Sequence, residues 1–277
     1  MRIWPGSQSV QGRNEAAPSM IERRIEIATP AGRMNTFICH PERNSPHPAV
    51  IFFMDAPGIR EELRDMARRL GTVGYYVMLP NLYYRSNVEE LGSVVGEANV
   101  VTREKALKLM TTINIPMVMQ DADALVAFAA KDKAASTGPM GCVGYCMSGQ
   151  YAMNAAVRHK DKIGAAASIY GVALVTDKPD SPHLVPRHTD ARLYFGCAEN
   201  DHYFPAEMID RLRAEVAAKG GNAEVEVYPG TQHGFAFASR PMYDKPAAER
   251  HWERLFALFG EALAGQGRDS SSRSSKY

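Results

Sequence analysis

The stretch Pro139-Met140-Gly141-Cys142-Val143-Gly144-Tyr145-Cys146-Met147-Ser148-Gly149-Gln150 decides how this chain is read. As far as Tyr145 it is small and apolar, as a short strand buried on both faces requires. From Met147 through Ala156 it reads as a helix. Cys146 stands at the joint. A strand-to-helix turn built around a nucleophile lifts one side chain clear of the sheet and needs small neighbours, here Gly144 and Gly149. The turn also sets Cys146 at a helix N-terminus, where the dipole and the free N–H groups favour a thiolate. A cysteine can equally be a small buried hydrophobe. The turn favours the nucleophile.

Working outward, 277 residues suffice for one large α/β core. A formal net charge of +1 with no basic block argues against nucleic acid as a partner. No apolar run is long enough to span a bilayer. Met1 to Ser19 lacks the apolar region of a signal peptide and reads as a flexible tail. Cys39, Cys142, Cys146 and Cys197 show no C-x-x-C or zinc-type spacing. There is no H-E-x-x-H, and the His183 and His188 pair is loop-borne without partners, so neither metal nor cofactor is expected. A reducing cytoplasm, which keeps Cys146 free, is the expected location.

Along the chain, Met20–Thr29 and Arg33–His40 are strand-like around the turn Thr29-Pro30-Ala31-Gly32, an antiparallel hairpin at a sheet edge. Ala49–Phe53 and Tyr75–Leu79 are apolar strands, separated by a helix with Leu63, Met66, Ala67 and Leu70 on one face. Asn81–Arg103 is polar and resists assignment. Helices are expected over Thr102–Met110 and after Pro116. Strands follow at Ile163–Ile169, Ala191–Gly196 and Ala223–Tyr228. Val172–Arg187 reads as a proline-bearing loop over the C-terminal edge of the sheet. Pro205 opens a helix in its favoured N1 position. A last helix spans Lys245–Leu263, and residues from Gly265 to Tyr277 read as a disordered tail. Strands alternating with helices give a mostly parallel sheet covered on both faces, in one domain over residues 20–264.

A thiol nucleophile needs a base, and the base an orienting acid. In the α/β-hydrolase arrangement these follow in the order nucleophile, acid, histidine, each from a loop at the end of a strand. Asp201 follows the strand ending at Gly196-Cys197. His233 follows the strand ending at Tyr228, in Pro229-Gly230-Thr231-Gln232-His233-Gly234-Phe235. Glu199 competes for the acid's role and His202 for the base's, although His202 shares the acid's own loop. Either member alone reads as an ordinary loop residue; their joint order supports a Cys146–His233–Asp201 triad.

Gly144-Tyr145-Cys146-Met147-Ser148-Gly149, Asp201-His202-Tyr203-Phe204-Pro205 and His233-Gly234-Phe235-Ala236 resemble the dienelactone hydrolase family, the carboxymethylenebutenolidases. Pro80-Asn81-Leu82-Tyr83-Tyr84-Arg85 and the closing Trp252 helix share the likeness, which covers roughly Met20 to Leu263. The resemblance implies an α/β-hydrolase fold and hydrolysis of a small ester or lactone through a thioester on Cys146. It implies an acid at Asp55 that pairs with the resting thiol and disfavours its charge; otherwise Asp55 is a turn residue before Ala56-Pro57-Gly58. Backbone N–H groups of Met147 and Ala56 would form the oxyanion hole. Arg85 matches one of two arginines that hold a substrate carboxylate. The second position is Phe237, an apolar wall, and Arg240 three residues on reads as a solvated surface charge. Ser148 stands where glycine is usual. Two other readings stay open: a thiol amidase or acyltransferase on the same fold, and a catalytically silent small-molecule binding protein. The partner is thus a small ester or lactone, on a monomer or small homo-oligomer.

Overall fold

The structure, a computed structural model, describes residues 19–263 except 93, 95, 97 and 220. The tails expected before Met20 and beyond residue 264 lie outside these residues, Ser19 apart. The strands are β1 (Met20–Thr29), β2 (Gly32–Pro41), β3 (Ala49–Phe53), β4 (Tyr76–Pro80), β5 (Met140–Tyr145), β6 (Ile163–Ile169), β7 (Arg192–Asn200) and β8 (Ala223–Gln232). They form one sheet in the order β1-β2-β4-β3-β5-β6-β7-β8. β1 pairs antiparallel with β2, and β2 with β4; every later pair is parallel. The antiparallel hairpin thus closes one edge, as its turn residues predict.

The helices are α1 (Glu61–Thr72), α2 (Ala98–Met110), α3 (Ile115–Ala129), α4 (Gly149–Arg158), α5 (Ala206–Lys219) and α6 (Lys245–Leu263). Successive residues of a strand face opposite sides, and β5 shows which helix lies where. A Cβ on Gly141 would collide with Phe259 of α6, whereas the next side chain, Cys142, sets its sulfur 3.2 Å from the Ala152 carbonyl of α4. The central strands β3, β4 and β5 are buried throughout, which is why they are unbroken apolar runs. α3 starts where Asn114 caps the Met117 N–H at 3.0 Å, with Pro116 in the first turn.

Several boundaries differ from the sequence reading. α2 begins at Ala98, ahead of the expected Thr102, and a 3₁₀ turn at Tyr84–Ser86 lies within the unassigned stretch. Another covers Pro182–Arg187, where only loop was expected. Pro205 precedes α5, its carbonyl accepting the Met208 and Ile209 N–H groups at 3.0 and 3.2 Å. β7 and β8 both run longer than expected. Beyond an irregularity after Ala198, Asn200 pairs with Gln232, and Glu199 accepts the Gly230 N–H at 2.7 Å. Among the described residues no helix is long and apolar enough to cross a membrane.

Candidate active site

Cys146 sits on a single 3₁₀ turn between β5 and α4 with φ 53°. This left-handed conformation is strained for any side chain and is the cost of pointing the sulfur away from the sheet. A Cβ on Gly144 would strike the Ser148 carbonyl, and one on Gly149 would strike Ser168, so both positions need glycine. Cys146 is partly exposed, whereas Cys39, Cys142 and Cys197 are buried. Burial pushes the Cys39 and Cys197 thiols up to about 12 and raises Cys142 further, which leaves them inert.

The ends of β7 and β8 bring Asp201 and His233 together. Asp201 Oδ2 lies 2.7 Å from His233 Nδ1, and its other oxygen accepts the Tyr203 N–H at 2.9 Å. His202 leans on Tyr203 at the cavity mouth, with ring centroids 3.8 Å apart, and makes no bond to this carboxylate. Glu199 is turned away to Gly230. His233 is packed edge-on against Tyr170 and Tyr203. Burial opposes charge on the ring, but Asp201 and the nearby Cys146 sulfur outweigh it and hold the imidazole up at about 10. The free nitrogen, Nε2, is buried without a bonded partner, and the Cys146 sulfur is among the groups that act on the ring. Tyr170, at the end of β6, carries φ 37° and a buried hydroxyl that also lacks a partner.

Cys146, Tyr170, His202, Tyr203 and His233 line a cavity of about 280 Å³, to which α2 adds Arg103, Leu107 and Met110. Asp55, Ala56, Phe237 and Arg240 complete its wall. Asp55 does not bond the thiol as expected. It takes two contacts from Arg60, at 2.6 and 3.2 Å, and a longer one from Arg240 at 3.5 Å. A guanidinium offers two charge-assisted donors where a thiol offers one weak S–H, so the buried carboxylate goes to arginine. Arg60 is also held by Glu62 at 2.8 Å, and its guanidinium lies over the Phe237 ring at 4.9 Å. Glu62 in turn accepts the Ser239 N–H and hydroxyl, which ties the His233 loop to α1. Arg60 escaped the sequence reading. Its signal was the turn closed by Gly58 N–H on the Asp55 carbonyl, 3.0 Å, which folds residue 60 back beside residue 55.

Arg85 is not brought to the cavity. Its guanidinium grips the fully buried Asp121 at 2.7 and 2.8 Å and stacks on Tyr84 at 4.5 Å. Arg240, expected at the surface, instead has a side chain only 17% exposed and lines the cavity. Among the described residues the arginines that line the cavity are therefore Arg240 and, from α2, Arg103.

A nucleophile turn after a central strand, with an acid and a histidine at the ends of later ones, defines the α/β-hydrolase class. Residues 34–263 match the model of the dienelactone hydrolase family, and the chain belongs to that family, an ester or lactone hydrolase. A protein of Methylorubrum extorquens named "Putative carboxymethylenebutenolidase" is 28% identical over 255 residues, covering 89% of this chain and 84% of its own. A solved structure titled "Putative Dienelactone Hydrolase" from Klebsiella pneumoniae has a TM-score of 0.75 at 24% identity, covering 88% of this chain and 99% of the other. A dienelactone hydrolase-like promiscuous phosphotriesterase from metagenomic libraries shares the fold, with TM-score 0.68 at 16% identity over 88% of this chain and 99% of its own.

Proposed function

We propose that the protein hydrolyses a small carboxylic ester or lactone through a Cys146–His233–Asp201 triad and an acyl-cysteine intermediate. The observation that carries this reading is the 2.7 Å contact of His233 with the buried Asp201 beside the strained Cys146 turn, with Cys146 and His233 lining one cavity. The Cys146 thiolate attacks the carbonyl carbon, and the oxyanion is received by the N–H groups of Met147 and Ala56. His233, protonated on Nε2, gives that proton to the departing alkoxide as the C–O bond breaks. Water then attacks the thioester with His233 as base, releasing the acid and restoring the thiol pair. Asp201 holds the Nδ1–H and steadies the charged ring.

On the substrate side, the relatives' name points to an anionic lactone. Arg240 supports an acidic substituent, but it shares Asp55, and Arg85 is spent on Asp121. Phe237 and, from α2, Leu107 and Met110 supply apolar wall. Activity on neutral aryl or alkyl esters is therefore expected beside any anionic lactone. Asp55 is read as half of a charge-balanced pair with Arg60, which tempers its repulsion of the thiolate. We read the described residues as one catalytic domain.

Intact-mass analysis with a slowly hydrolysed nitrophenyl ester tests the mechanism. One acyl group on Cys146 is expected, with turnover lost in Cys146→Ala and kept in Cys142→Ala and Cys197→Ala. Acylation of Cys142, or of no cysteine, would refute it.

A further inference from the structure

The two backbone donors assigned to the oxyanion come from different loops, one after β3 and one after β5. A hole made from two loops works only if their spacing is fixed before the substrate arrives. Two hydroxyls span that gap. Tyr83, 1% exposed, donates its O–H to the Ala56 carbonyl at 2.8 Å, and the same oxygen rests 3.3 Å from Met147 Sδ. Ser148, fully buried, donates to the Met54 carbonyl at the end of β3. Each hydroxyl therefore joins the β3 loop to the β5 turn.

The remaining freedom at Ala56 is small. The peptide that carries its N–H is pinned through the Asp55 carbonyl by the Gly58 N–H at 3.0 Å. The next peptide is pinned through the Ala56 carbonyl by Tyr83, and proline at 57 fixes the following φ. Burial pushes the Tyr83 phenol well above its ordinary range, so it remains an O–H donor at any working pH.

We propose that Tyr83 and Ser148 are positioning residues that latch the two oxyanion-hole loops at a fixed separation. This rests on the reading of Met147 and Ala56 as the donors. The hydroxyls touch no substrate; they act by holding those N–H groups on target.

The test uses Tyr83→Phe and Ser148→Ala, which remove the two hydroxyls from opposite sides of the gap. Three quantities are measured for each: turnover of a nitrophenyl ester, inhibition by a trifluoromethyl ketone of the same acyl group, and alkylation of Cys146 by iodoacetamide. The ketone adduct carries an oxyanion, whereas alkylation generates none. The latch predicts that kcat and ketone affinity fall together, by roughly 10- to 100-fold. KM and the alkylation rate should stay within about twofold of wild type. Unchanged ketone affinity overturns the latch. So does a parallel loss of alkylation, which marks general disruption of the turn. Either variant decides the matter if the other does not fold. Failure of the triad is distinguishable, because it appears in the wild type as a missing acyl-cysteine.

Discussion

His233 holds its proton against strong burial because Asp201 and Cys146 lie on either side of the ring. At neutral pH the ring is then an imidazolium. A proton NMR titration should follow the ring to a midpoint of about 10. Cys146→Ala and Asp201→Asn should each bring the midpoint down toward the ordinary histidine range. The sign follows from the raised value. Any stability this group adds is complete below about 6.5 and is lost as pH climbs through about 10. A wild-type midpoint near 6.5 would show a ring that rests neutral. At this scale the sequence disclosed what stands at strand ends, namely Cys146, Asp201 and His233. Arg60 stayed hidden because its partner is set by how a turn closes, not by spacing along an element.

Among the elements, Arg85 shows how a strand-end residue can mislead. It follows β4, as a site residue should, but α3 presents Asp121 to it, and that contact depends on packing no local pattern records. Burial already pushes the Asp121 carboxyl up, against the pull of Arg85 and Tyr84. Arg85→Ala should strand this carboxylate and cost on the order of 3–5 kcal/mol, read as a lower Tm. The kcat/KM ratio between an anionic lactone and a neutral ester should not move. A selective loss with the lactone would return Arg85 to the substrate. Helix α6 and strands β3 and β6 could be read to the residue, because their apolar runs or faces are continuous. The ends of β7 and β8 could not, since Asn200 and Gln232 extend them only by finding each other. α2 starts early in a stretch whose polar composition gives no helical face.

For the molecule as a whole, the order of strands was beyond the sequence, while the alternation that builds a covered sheet was plain. Among the titratable groups of its core, His251 constrains the working range. His251 is fully buried between the Tyr145 hydroxyl, 3.0 Å from Nε2, and the Ala248 carbonyl at Nδ1. That pattern suits a neutral ring with one donor and one acceptor. Burial pulls its pKa down to about 3. The unfolded chain therefore binds more protons between about 3 and 6.5, and stability falls as pH drops through that window. At pH 5 the loss is on the order of 2 kcal/mol. Denaturant titrations of wild type and His251→Phe at pH 7 and 5 should show a smaller acid penalty in the variant. Equal penalties would shift the acid sensitivity to other groups.

The Asp55–Arg60–Glu62 cluster has a consequence for the medium in which the enzyme works. Dissolved ions form an atmosphere about 10 Å deep at 0.1 M and weaken only those charges they can surround. Pairs such as Arg33–Glu26, with both side chains more than half exposed, lie open to it. Asp55 and Arg60 are 2% and 10% exposed and answer chiefly to each other. The charge pair in the cavity wall is thus one that mobile ions hardly reach. Brine can strip the protein of its surface pairs and still leave Asp55 and Arg60 joined as they are in dilute buffer.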